Sequence, residues 1–150
     1  MERITFQELP DGLIANMMKV ENYINNAEID MKLLELIRYR VSQINGCAYC
    51  LDMHHKEAIH IGETELRLHS LAAWREAPFY SEKEKAVLAY AEAVTQIAGN
   101  DIGEDIFTTL TKFFSKAEIA NLTLAISHIN SWTRLGKCFR FTPGNYQVNR

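Results

Sequence analysis

Apolar residues recur every three or four positions along almost the whole of this 150-residue chain, and nowhere do they alternate with polar ones between hairpin-type turns. That periodicity calls for helices and leaves no sheet to build, so the sequence predicts an all-α fold. Leu33, Leu34, Ile37, Val41 and Ile44 follow Asp30, a good N-cap, and precede Asn45-Gly46, which tolerates a left-handed backbone; a helix is predicted over 30–45. A second is predicted over 47–61, stopped by Gly62, and a third over 64–75, stopped before Pro78. Ser81-Glu82-Lys83-Glu84 and Ser115-Lys116-Ala117-Glu118 are capping-box patterns, each opening a long apolar-periodic run. Helices over 12–26 and 104–114 complete the set.

No Pro-, Gly- or Ser-rich linker and no internal repeat interrupts the pattern, so residues 1–150 are expected to form one helical domain of about seven helices. At this length about two thirds of the extended surface is buried on folding, so no disulfide or metal is needed for a core. The segment 122–126 is apolar on more than one face, which suits either a central helix or burial against another subunit.

A net charge of −3 with no Lys/Arg cluster argues against a nucleic-acid partner. No apolar run reaches the roughly 18 residues of a membrane span, and residues 1–10 lack the pattern of a signal peptide. A cytoplasmic location is therefore expected. Three cysteines in a reducing compartment are no disulfide framework, so the close pair Cys47 and Cys50 reads as catalytic or metal-binding.

Cys47, Cys50 and His54 share one helix face directly after Asn45-Gly46. A free thiol, with a pKa of about 8.5, is only slightly ionised at neutral pH; a helix N-terminus or an adjacent proton acceptor raises the thiolate fraction. His54 lies about 6 Å along the axis from Cys50 and about 10.5 Å from Cys47, at 1.5 Å rise per residue. Proximity to the imidazole favours Cys50 as nucleophile, whereas the helix dipole alone favours Cys47; the assignment to Cys50 rests on the histidine outweighing the dipole. A thiolate with a second thiol three residues away can attack an O–O bond, become a sulfenic acid and condense with its neighbour to a disulfide. An outside dithiol then restores the pair. The cycle requires neither a metal nor an organic cofactor.

Other readings are simpler for other residues. A structural zinc site needs a fourth ligand, which no second C-x-x-C or H-x-x-x-H supplies, and Leu51 excludes c-type haem attachment. Cys138 is expected to be a small buried apolar residue, and His60, His69 and His128 have no evident partner. Trp132 and Arg134 are expected to serve packing and helix-end electrostatics. Phe113, Phe114, Phe139 and Phe141 read as core or subunit interface.

The run from Arg40 to Cys50, with its Ser42-Gln43-Ile44-Asn45-Gly46-Cys47-Ala48-Tyr49-Cys50 segment, then His54, Ala58 and Gly62, closely resembles the core motif of the AhpD-like alkylhydroperoxidases within the carboxymuconolactone decarboxylase family. The stretch Ile129-Asn130-Ser131-Trp132-Thr133-Arg134 is similar to that family's final helix, with Thr133 a departure from the usual pattern. The likeness spans roughly residues 30–140, its core motif at 30–62. It implies an AhpD-like helical bundle in which Cys50 attacks, Cys47 resolves and His54 is the base, assisted through a water by Glu35 on the preceding helix. Tyr49 stands where the familiar alkylhydroperoxidases often carry His. The resemblance implies a thiol-dependent peroxidase acting on alkyl or hydrogen peroxides. It also implies a homo-oligomer, a trimer or a hexamer, and an external dithiol reductant of lipoyl-bearing or thioredoxin-like type is expected. Two alternatives use the same residues differently: a decarboxylase or isomerase relying on His54 and Glu35 for proton transfer, and a non-catalytic, zinc-stabilised helical interaction module.

Overall fold

The computed structural model describes residues 1–148. Seven α-helices follow one another: α1 (Leu13–Asn25), α2 (Met31–Asn45), α3 (Ala48–His60), α4 (Glu65–Ser70), α5 (Glu82–Thr95), α6 (Glu104–Leu110) and α7 (Lys116–Phe139), with no strand among the described residues. The local signals explain the boundaries. The Asp30 carboxylate accepts the Leu33 amide at 2.9 Å to start α2. Both capping boxes close as the sequence predicts: Ser81 with Glu84 opens α5, and Ser115 with Glu118 opens α7. Gly46 ends α2 in the left-handed region (φ +61°), which lets α3 start at once and fold back along α2.

Two helices are shorter than the sequence predicts. The helix predicted over 64–75, α4, stops at Ser70 and continues only as a 3₁₀ turn over Leu71–Ala73, because Leu71 and Trp74 turn inward to pack with Leu68 and Tyr80. The sixth stops at Leu110 rather than 114, where Leu110 and Phe114 are buried against α2, α5 and α7.

The helix that positions the site is α2, because it is surrounded. Ile37 and Val41 pack with Val87 and Ala91 of α5 and with Leu122 and Ile126 of α7. Leu36 faces Ala58, Leu68 and Leu88, and Leu34 meets Ile24 of α1 and Ala125 of α7. Each such fully buried aliphatic side chain contributes roughly 1.5–3 kcal/mol. A helix enclosed on this scale also encloses whatever polar residues it carries, which is why Glu35 and Arg38 are buried. In α7 the doubly apolar 122–126 segment is mostly accounted for within the chain: Leu122, Ala125 and Ile126 are buried and only Leu124 is exposed.

Candidate active site

Cys47 is the N-cap of α3, and its sulfur accepts the Cys50 amide at 3.3 Å. The two cysteines are bonded to each other as a disulfide, with Cα atoms 5.4 Å apart. The pair is deeply buried, at 1% exposure for Cys47 and 4% for Cys50. They differ in outlook: Cys50 lies on the wall of a cavity of about 350 Å³, and Cys47 does not. Behind the pair runs α7, where a Cβ on Gly136 would come 3.0 Å from the Cys47 sulfur and 3.6 Å from that of Cys50. Glycine is what admits the disulfide against this helix.

One turn beyond Cys50, His54 is buried on the same cavity wall. Its Nδ1 lies 2.9 Å from Glu35 Oε2, a direct hydrogen bond rather than the water-bridged contact implied by the resemblance. Arg38 accounts for the difference. Its Nη1 donates to the other oxygen, Glu35 Oε1, at 2.7 Å, which both aims the carboxylate at the ring and balances its charge. Burial opposes ionisation of Glu35, but His54 and Arg38 outweigh it and hold the carboxyl below the ordinary carboxylate range. A carboxylate accepting from Nδ1 leaves neutral His54 with its lone pair on Nε2, the form that can take a proton.

Sequence reasoning missed several groups here. Arg38 also donates to Asn25 Oδ1 at 2.7 Å and pairs with Glu21 of α1. Burial likewise opposes ionisation of Glu21, and His128 and Arg38 overcome it, so this carboxyl too sits below its usual range. His128, without an evident partner in sequence, has its Nε2 3.0 Å from Glu21 Oε2. Trp132, expected to be packing, lines the cavity and donates its indole N–H to His128 Nε2 at 2.9 Å. The apolar wall includes Phe6, Ile14, Met18, Met53 and Phe141. Tyr146 closes one side, its hydroxyl bonded to Glu57; burial first and then Glu57 raise its pKa, so it keeps its proton. Cys138, expected to be buried, is exposed. Among the described residues no three His, Cys, Asp or Glu side chains are grouped to hold a metal ion, and no helix is long and apolar enough to cross a membrane.

The family model described as the carboxymuconolactone decarboxylase family matches residues 12–93, which include Glu35, both paired cysteines and His54. The chain belongs to the carboxymuconolactone decarboxylase family. Within that family it is AhpD-like, with a fold of TM-score 0.93 to a crystal structure from Agrobacterium tumefaciens, a protein of unknown function described as a candidate AhpD antioxidant defence protein. The two are 38% identical, and the match covers 97% of this chain and 100% of that one. The uncharacterised protein YdfG of Bacillus subtilis is 38% identical over 135 residues, 89% of this chain and 91% of its own length. The debrominase Bmp8 has a similar fold, at TM-score 0.79 with 19% identity, over 89% of this chain and 72% of that one.

Proposed function

We propose that this protein is a thiol-dependent peroxidase that reduces alkyl or hydrogen peroxides through Cys50, Cys47, His54 and Glu35. The observation that carries the reading is that Cys50 and His54, one helical turn apart, open onto the same largely apolar cavity while Cys47 sits behind, bonded to Cys50. In the reduced protein His54 takes the Cys50 proton, and the thiolate displaces alkoxide from the peroxide O–O bond, forming a sulfenic acid. Imidazolium returns the proton to the alkoxide, giving alcohol or, from hydrogen peroxide, water. The Cys47 thiol then condenses with the sulfenic acid, forming the disulfide and releasing water. An external dithiol, of lipoyl-bearing or thioredoxin-like type, reduces the pair and is itself oxidised to a disulfide. A homo-oligomer, trimeric or hexameric, is part of the same proposal and is read by mass measurement in solution.

The test is peroxide consumption with a dithiol donor. Cys50→Ser is expected to abolish it, and unchanged turnover overturns the proposal. Cys47→Ser is expected to leave a sulfenic acid on Cys50 without the internal disulfide; a disulfide formed instead with Cys138 reassigns the resolving thiol. Activity of any kind that survives loss of both thiols points to proton transfer by His54 and Glu35.

A further inference from the structure

The mechanism above uses His54 and Glu35 but leaves half of a buried polar cluster without a task. Five ionisable groups are linked in sequence: His54 to Glu35, Glu35 to Arg38, Arg38 to Glu21, and Glu21 to His128. Glu35, Arg38, His54 and His128 are buried, and the Glu21 side chain is largely so. With both imidazoles neutral, two carboxylates face a single guanidinium and the cluster carries one negative charge in excess. One proton makes it neutral, and a second makes it cationic. A buried site favours the neutral form, so the two imidazoles compete for one proton.

His128 has the geometry of a proton-dependent choice. Its Nε2 faces a donor, the Trp132 indole N–H, at 2.9 Å, and a carboxylate oxygen, Glu21 Oε2, at 3.0 Å. A lone pair on Nε2 satisfies the first and a proton satisfies the second; one nitrogen cannot serve both. Indole N–H is a donor only, so Trp132 holds His128 towards the neutral form and Glu21 towards the charged one.

We propose that His128 is a positioning residue for the thiol site: its Nε2 takes the proton that neutralises the buried cluster, leaving His54 neutral and able to accept the proton of Cys50. The role assigned to His54 rests on the peroxidase reading; the competition between the two imidazoles does not. The charged and titratable groups that bear on the pair are Glu21 from α1, Glu35 and Arg38 from α2, and Glu57, Tyr49 and Tyr146 around the cavity that His54 lines.

The experiment is site-resolved histidine NMR titration of the ¹⁵N-labelled full chain, as wild type, His128→Gln and Trp132→Phe. Removing His128 leaves His54 the only imidazole in the cluster, so its midpoint is expected to rise. Removing the indole donor frees Nε2 to stay protonated to higher pH, so the His54 midpoint is expected to fall. The expected shifts are on the order of half to one pH unit at the effective dielectric of a buried site. The acid limb of Cys50 oxidation by peroxide is expected to follow in the same two directions. Should His128→Gln fail to fold, Trp132→Phe alone still tests the sign. An unmoved His54, or shifts of the same sign in both variants, overturns the proposal, since a purely structural disturbance has no reason to act in opposite directions. Opposed NMR shifts without peroxide turnover sink the peroxidase reading and leave the proton competition standing; turnover with an unmoved His54 does the reverse.

Discussion

Glu35 and His54 touch directly: the carboxylate oxygen and Nδ1 are 2.9 Å apart, on the consecutive helices α2 and α3. The contact fixes the tautomer of neutral His54, whose Nδ1–H is donated to the carboxylate. Replacing the imidazole removes the acceptor itself. His54→Ala is expected to slow sulfenic acid formation on Cys50 by about 10²–10⁴-fold, the usual worth of a positioned base, and Glu35→Gln by less. Stopped-flow oxidation of the reduced protein by stoichiometric peroxide measures both, and equal rates in all three proteins would remove the pair from the mechanism.

Arg38 is the only guanidinium bonded to both Glu21 and Glu35 among the described residues. Arg38→Met fills similar space but leaves two buried carboxylates without their cation. The expected loss is about 3–5 kcal/mol, as for one partner taken from a buried ion pair. Urea denaturation of wild type and variant at neutral pH checks it; a loss below 1 kcal/mol means that water has reached the cluster.

Both carboxylates have folded-state pKa values below the ordinary range. The unfolded chain therefore binds more protons than the folded one at acid pH, and stability there rises with pH. Their contribution is fully present above the unfolded carboxylate value of about 4.3 and is lost as pH falls through the depressed folded values. Denaturation midpoints are expected to drop with acidification below about pH 4, and to drop less steeply in Glu35→Gln. Parallel curves for the two proteins would contradict the depressed value at Glu35.

A methyl group at position 136 has nowhere comfortable to go, since it meets Cys47 Sγ at 3.0 Å and Phe141 at 3.8 Å. Gly136→Ala gains about 1 kcal/mol of helix propensity and incurs crowding of about 1–3 kcal/mol. The net expectation is a lower melting temperature for the oxidised protein, read by calorimetry. A higher one would show that α7 can step back from the sulfurs.

Most of the fold was legible because its instructions are local. Asp30, Ser81 and Ser115 each satisfy an amide three residues on, and Gly46 supplies a conformation few other residues adopt. The dithiol and His54 were legible for the same reason, being one helix read at one spacing. Glu35 became visible only through the spacing of a familiar motif. Its direct bond to His54 was not legible, because that depends on how Arg38 holds the second oxygen. Glu21 and His128 lie more than 100 residues apart and meet only when α1 packs on α7, so neither spacing nor composition marks them. Two signals were available and unread: a glycine inside the 24-residue α7 points to a close approach, and Cys138, two positions on, lies on roughly the opposite face.

Three of the rings that line the cavity stand outside the seven helices. Phe6 stacks on Phe141 at 4.2 Å between centroids, and Tyr146 is tethered by the bond from Lys56 Nζ to its carbonyl at 3.0 Å and by its hydroxyl on Glu57. All three stand on segments flanking α1 and α7. Local opening of these flanks would break a few surface tethers and leave the enclosed α2 in place, at a free energy well below that of global unfolding. The Gly144 amide, held by Asp52, is expected to report by its hydrogen-exchange rate how often the segment after α7 lifts from α3.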